Sequence, residues 1–224
     1  MNEKAESPYV KLAWVLFFSI WMAYLESAIV VYLRQLYYPD GFSFPIKHIL
    51  QPIAVIELFR EVATIFMLLT ISFLTGKNGW ARLAYFMFSF GAWDIWYYIW
   101  LKIFINWPES LLTWDLLFLI PVPWSGPVIA PVIVSVSLIV VAIIVLNLEH
   151  RGINFWLTKG EKSLLVCAAL LIFLSFLWQA LTILKLEVPT AYPWEFLLIG
   201  EVIGIVILIH AIRRLRANQL SLES

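Results

Sequence analysis

The stretch VIELFREVATIFMLLT, residues 55–70, decides the fold class of this chain. It is apolar enough to cross a bilayer, yet it carries Glu57, Arg60 and Glu61 within five residues. An isolated charge at the centre of a membrane helix costs about 2.5–3.5 kcal/mol on insertion scales. We therefore expect these three side chains to face other helices or a polar pocket, and not lipid.

The composition of the whole chain agrees with a membrane environment. Of the 224 residues, 62% are hydrophobic and only 13% are charged, whereas a soluble domain carries about 25% charged residues. The formal net charge is zero, so the chain lacks the basic excess typical of nucleic-acid binding. Its single cysteine, Cys167, excludes an internal disulfide and a multi-cysteine metal site.

Six segments are long and apolar enough to span a bilayer, which takes about 20 residues. They are 12–35, 48–74, 80–104, 127–148, 163–184 and 193–213. The segment 106–126 contains another apolar run, but Pro121 and Pro123 interrupt it, so we expect it to be interfacial or re-entrant. The predicted fold class is all-α, a polytopic helical bundle forming one transmembrane domain over residues 1–224.

The positive charges predict how this bundle is oriented in a cell membrane, in bacteria the inner membrane. On the side where the first, third and fifth spans end there are four cations: Arg34, Lys47, Lys102 and Lys185. Ten lie on the other side: Lys4, Lys11, Lys77, Arg82, Arg151, Lys159, Lys162, Arg213, Arg214 and Arg216. Because cytoplasmic flanks are enriched in Lys and Arg, both termini are predicted to be cytoplasmic.

The deep ionisable groups are the candidate site residues. With about 1.5 Å of rise per helical residue, the acids on four spans fall about 10–18 Å below the outer surface. The candidates for binding an ion or ligand are Glu26, Glu57, Arg60, Glu61, Asp94, Tyr98 and Glu201. Those for balancing charge or contacting a lipid head group are Arg34, Lys102 and Asp115. This pattern predicts a pocket between the first, second, third and sixth spans, covered by segment 106–126.

Two glycines on the sixth span suggest close helix packing there. Gly200 and Gly204 form a small-xxx-small pair, which lets a neighbouring helix approach closely. We expect this contact to carry Glu201 into the bundle.

The sequence favours no single chemistry for the pocket. The three histidines, His48, His150 and His210, are too far apart in the predicted topology for one metal site. Haem, zinc and nucleotide signatures are absent, so a bound metal would be a hard cation at carboxylates. The acid excess predicts binding or transport of a cation, a proton or a small polar solute.

Two alternatives stay open at this point. The first is a membrane-embedded enzyme acting on a lipid or isoprenoid head group, because acids, a guanidinium and tyrosines are usable acid–base and anion-binding groups. The second is a structural or assembly subunit whose ion pairs only set helix packing. The expected partners are membrane lipids, with a homo-oligomer or another membrane subunit as a further possibility, and no nucleic acid.

Overall fold

The computed structural model describes residues 8–47 and 50–223. The described elements are seven helices and one β-hairpin, and the fold is mostly helical. The helices are α1 (Pro8–Tyr37), α2 (Gln51–Thr75), α3 (Gly79–Ile105), α4 (Ile129–His150), α5 (Lys159–Leu177), α6 (Ala180–Leu184) and α7 (Trp194–Glu223). The hairpin, between α3 and α4, is formed by β1 (Trp114–Phe118) and β2 (Trp124–Pro127). Lys4 and His48 lie outside the described residues.

Among the described residues, four helical segments are long and apolar enough to cross a membrane. They are Tyr9–Tyr37, Ile129–His150, Lys159–Leu184 and Trp194–Asn218, with mean hydropathies of 1.8 to 3.1. Helices α2 and α3 have 25 and 27 residues but are not among these four; α2 carries the three charges of the opening stretch, and α3 is rich in Trp and Tyr. The prediction of a helical membrane protein is thus supported by four helices that could span a membrane, and its count of six spans is not confirmed.

Helix α3 is central because it packs against α1, α2 and α4, while α5 packs against α7. The side chain of Asn78 caps its first turn by accepting a hydrogen bond from the Ala81 amide at 2.9 Å. Helix α5 begins with a capping box, in which Thr158 and Glu161 accept each other's backbone N–H groups. These caps place the helix starts close to the predicted boundaries.

The all-α prediction is wrong for the segment between α3 and α4. Two antiparallel strands form there, with Asp115 opposite Gly126 and a register irregularity between Leu116 and Phe118. Pro121 and Pro123 lie between the strands, where no ladder hydrogen bond is lost. Gly126 is needed because a Cβ atom there would lie 2.8 Å from the Tyr192 ring. The hairpin can therefore pack closely against the loop before α7.

Only one glycine of the predicted pair on α7 lies at a close helix contact. A Cβ atom on Gly200 would lie 2.6 Å from Ile172 Cγ1 and 2.8 Å from the Ala168 carbonyl oxygen, both on α5. A Cβ atom on Gly204 would meet nothing within 4 Å. Gly200 therefore sets the distance between α5 and α7, and Gly204 does not.

We predict that Gly200→Ala lowers the free energy of unfolding by about 1–3 kcal/mol, because the added methyl group forces backbone or side-chain shifts. Gly204→Ala is the matched control and should raise it by about 0.5–1 kcal/mol, since glycine is unfavourable inside a helix. Unfolding of both variants by titration with SDS, followed by circular dichroism, measures the difference. Equal stability of the two variants would contradict the proposed contact.

Candidate functional site

One cavity of about 590 Å³ lies between α1–α6 and the hairpin. Its volume is in the range typical of small-molecule sites, about 300–1,000 Å³. Most of the lining is apolar, with contributions from residues such as Phe90, Val134, Leu138, Ile172 and Phe176. Eight of the ten predicted site residues also line it: Glu26, Arg34, Glu57, Arg60, Glu61, Asp94, Tyr98 and Asp115. The cavity is therefore amphipathic.

Arg60 joins α1 to α2 on the cavity wall. Its guanidinium forms an ion pair with Glu26 of α1, and its Nε donates to Glu57 Oε2 at 2.8 Å. The Thr64 hydroxyl donates to the second oxygen of Glu26 at 3.0 Å. Residues 57, 60 and 64 share a helix face because three- and four-residue spacings return to the same side. Arg60 and Thr64 of the stretch 55–70 thus link α2 to α1 through Glu26.

Glu61 has a different partner, although it is only one residue from Arg60. The Leu119 amide of the hairpin donates to both of its carboxyl oxygens, at 3.1 and 2.9 Å. A hydrogen bond to a carboxylate is about twice as strong as one between neutral groups. Glu61 therefore fastens the turn of the hairpin to α2 beside the cavity.

Asp94 marks the contact between α3 and α4. It accepts a hydrogen bond from the Ser135 hydroxyl at 2.8 Å and is buried. One turn earlier on α3, a Cβ atom on Gly91 would lie 2.6 Å from the Ser135 carbonyl oxygen. Because glycine has no side chain, the two backbones can approach until this hydrogen bond forms.

Arg34 and Asp115 form a buried ion pair at 3.0 Å between α1 and β1. The Arg34 guanidinium also lies over the Trp107 ring, 3.7 Å from its centroid, and over Phe42 at 4.7 Å. Asp115 is only 1% exposed. Burial raises the pKa of its carboxyl to about 6, against the opposing effects of Arg34, the Leu116 amide and the Tyr98 hydroxyl.

Two predicted site residues lie elsewhere. Glu201 does not line the cavity; it accepts a hydrogen bond from Ser137 of α4 at 2.6 Å. Lys102 donates to the backbone oxygens of Asn106 and Pro108, at 3.3 and 2.9 Å, and so closes the carboxyl end of α3. The prediction that α7 helps to build the pocket is wrong, because α4, α5 and the hairpin occupy that side.

Several residues that were not predicted as site residues also line the cavity, among them Trp93, Trp124 and Ser135. One signal was present for Ser135. The only hydroxyl side chains of α4 are Ser135 and Ser137, and each donates to one deep acid. No sequence signal pairs the hairpin with α2, since both Glu61–Leu119 hydrogen bonds involve a backbone amide.

Three hydrogen-bond donors of lining residues are buried without a partner among the described residues. They are Arg34 Nη1, Trp93 Nε1 and Trp124 Nε1. The Tyr98 hydroxyl and Asp115 Oδ2 also lack a hydrogen bond of normal geometry, but the Tyr98 hydroxyl acts on this carboxyl. A buried polar group left unsatisfied costs about 1–3 kcal/mol.

A second, smaller cavity of about 270 Å³ adjoins the first and shares Glu61, Phe90, Phe118 and Trp124 with it. It also reaches Phe66, which is 63% exposed on the outside of α2. The second cavity therefore borders the first on the side of α2 that carries Phe66.

Within the described ranges, no three His, Cys, Asp or Glu side chains are grouped so that they could hold a metal ion. A comparison with protein-family models, curated proteins and solved structures finds no match for this chain.

Proposed function

We propose that this protein is an integral membrane protein that binds an amphipathic molecule, such as a lipid or isoprenoid, in the cavity. One observation carries the proposal: the cavity of about 590 Å³ is mostly apolar, and part of its wall is formed by hydrogen-bonded ionisable groups. Small-molecule sites typically combine an apolar lining, which accommodates the ligand's apolar body, with a few polar groups that fix its orientation. The adjoining cavity at Phe66 is the proposed route from the bilayer.

The topology belongs to the same proposal. All six long helices cross the bilayer, with α5 and α6 together forming the fifth span, and both termini are cytoplasmic. Supporting this arrangement, the carboxyl groups within α2 and α3, those of Glu57, Glu61 and Asp94, belong to buried residues. In contrast, Phe59 and Phe66 on the outside of α2 are 68% and 63% exposed. An apolar outer face suits contact with lipid.

The test uses a variant that fills the cavity. Val134 of α4 lines the cavity, whereas Val136 of the same helix does not and is 49% exposed. We expect the purified parent to retain an amphipathic molecule, detected by native mass spectrometry and by extraction into organic solvent. Val134→Trp should lose it, and the matched control Val136→Trp should keep it.

Helical circular dichroism and size-exclusion profiles check that both variants fold, and Leu138→Phe provides a milder filling of the same cavity. Retention of the same molecule by Val134→Trp and Leu138→Phe at the parent's level would refute binding in the cavity. A parent that retains nothing and gains nothing from added lipids would also refute the proposal.

A specific observation favours a second candidate, the binding or passage of a cation or proton. Five carboxyl groups line the cavity against three cationic groups, those of Arg34, Lys47 and Arg60. If all were ionised, the excess of negative charge would attract a cation. Proton or cation flux into liposomes containing the protein, compared with Glu57→Gln/Glu61→Gln, distinguishes this candidate from simple ligand binding.

A further inference from the structure

The carboxyl group of Asp94 differs from the other four that line the cavity. It accepts one hydrogen bond, from the Ser135 hydroxyl to its Oδ2 at 2.8 Å. Its Oδ1 has no hydrogen-bond partner among the described residues, and it forms no ion pair with any described Lys, Arg or His. Asp94 is nevertheless only 8% exposed. Burying a charge without a partner is unfavourable, so a carboxylate at this position needs a cation.

The other four carboxyl groups of the wall already have protein partners. Three of them are paired with guanidinium groups: Asp115 with Arg34, and Glu26 and Glu57 with Arg60. The fourth, that of Glu61, accepts the Leu119 amide on both of its oxygens. Among the described lining residues, Asp94 is therefore the acid with neither a cation nor a donor to its second oxygen.

The free oxygen of Asp94 is within reach of a molecule in the cavity. Asp94 lines the cavity, and its Oδ1 is not one of the unpartnered atoms that the protein closes off completely, as Asp115 Oδ2 is. Glu57 Oε1, on α2, is likewise without a hydrogen bond among the described residues and is not closed off. Two walls of the cavity thus present free acceptors.

The charges of the wall disfavour an anionic ligand. Arg60 has an Nη2 without a hydrogen bond among the described residues, but its guanidinium already pairs with Glu26 and Glu57 and is followed in sequence by Glu61. Five carboxyl groups line the cavity against three cationic groups. When all of these groups are ionised, the excess negative charge repels an anion and attracts a cation.

Apolar side chains lie beside the contact between Asp94 and Ser135. Pro131, Val134 and Leu138 of α4 also line the cavity. Pro131 and Leu138 share a helix face with Ser135, because spacings of three and four residues return to the same side. An apolar chain can therefore continue along α4 from a head group bound at Asp94.

We infer that the bound molecule is a long-chain amine, and that Asp94 selects its primary ammonium group by accepting an N–H hydrogen bond at Oδ1. This inference rests on the proposed function and names the chemical class of the ligand. An ammonium group brings both things that Asp94 lacks, a positive charge and a hydrogen-bond donor. Hydrogen bonds between ionised groups are about twice as strong as those between neutral ones.

The test compares four probes with the same twelve-carbon chain: dodecylammonium, dodecyltrimethylammonium, dodecanol and dodecyl phosphate. Native mass spectrometry of the full chain in a neutral detergent, near neutral pH, measures the affinity for each. Dodecylammonium should bind about ten-fold more tightly than dodecanol, which corresponds to one hydrogen bond to a charged group. Dodecyltrimethylammonium carries the charge but no N–H group, so it should bind more weakly than dodecylammonium, and dodecyl phosphate should bind most weakly.

The variant Asp94→Asn tests the residue itself. Its amide oxygen can still accept the Ser135 hydrogen bond, so the contact between α3 and α4 is kept while the charge is removed. The preference for dodecylammonium over dodecanol should fall to about two-fold or less. Glu201→Gln is the matched control and should retain the preference. Glu201 also accepts one hydrogen bond from a serine of α4 and forms no ion pair among the described residues, but it does not line the cavity.

The outcomes separate this inference from the proposed function. Binding of dodecanol or dodecyl phosphate as tightly as dodecylammonium would overturn the amine assignment while leaving a ligand in the cavity. Equal binding of the two ammonium probes would refute the N–H hydrogen bond. These comparisons use the parent alone, so they decide the head group even if Asp94→Asn does not fold. A preference that survives in folded Asp94→Asn, or that is lost equally in Glu201→Gln, would refute the role of Asp94. Binding of none of the probes by the folded parent would overturn both proposals.

Discussion

Replacing Arg60 with leucine should lower the free energy of unfolding by about 3–5 kcal/mol. The reason is that removing one partner from a buried ion pair leaves the other charges uncompensated. Here two carboxyls, Glu26 and Glu57, lose their guanidinium at once, and both residues are buried. The loss should appear in SDS titration of the purified protein, followed by circular dichroism. It should also loosen α1 from α2, because the Glu26 pair joins these helices.

The control removes the charges together. In Glu26→Leu/Glu57→Leu/Arg60→Leu no charge is left unpaired, and replacing a whole buried ion pair by apolar residues is often neutral or stabilising. We expect this triple variant to recover most of the stability that Arg60→Leu loses. Two results would contradict the argument: an Arg60→Leu protein as stable as the parent, or a triple variant no more stable than the single one.

Replacing Arg34 with leucine should have an effect of similar size, about 3–5 kcal/mol near pH 8. Asp115 would then be left as a buried carboxylate without its cation. The hairpin would also lose its ion pair to α1, so proteolysis within residues 114–127 should become faster. SDS titration and limited proteolysis in the same detergent measure the two effects.

This second loss should depend on pH, and the sign follows from the pKa of Asp115. Burial raises that pKa to about 6 in the folded protein, above the value of about 3.9 for an unperturbed aspartate. The folded state therefore binds more protons than the unfolded state between these values. The contribution of Asp115 to stability is fully present below about pH 4 and is lost as the pH rises through about 6.

Without Arg34 the pKa of Asp115 should rise further, because the guanidinium favours the carboxylate. Arg34→Leu should thus be closer to the parent in stability at pH 5 than at pH 8. The variant Arg34→Leu/Asp115→Leu is the control and should show no extra loss of stability at pH 8, since it has no carboxyl at position 115 to ionise. An equal loss from Arg34→Leu at both pH values would contradict a buried, raised-pKa carboxyl at position 115.

Much of the site was predictable because helical spacing is regular. The positions of Glu57, Arg60 and Thr64 put them on one face of α2, and the cost of charge in lipid predicts that this face points inward. The structure brings Glu57 and Arg60 to one cavity with Glu26 and Asp94. The choice of partners was not predictable: Arg60 pairs with Glu57 and Glu26, whereas Glu61 binds a backbone amide from a segment 58 residues away.

By itself, then, the sequence determined that this chain is a helical protein suited to a membrane and that its deep charges cannot face lipid. Both conclusions depend on composition and on distances along one helix, which local sequence sets. Only the tertiary structure decided that 114–127 is a hairpin, that α4 and α5 replace α7 beside the cavity, and that Glu201 pairs with Ser137. Those outcomes depend on which helix faces pack together, and many packings satisfy the same apolar pattern.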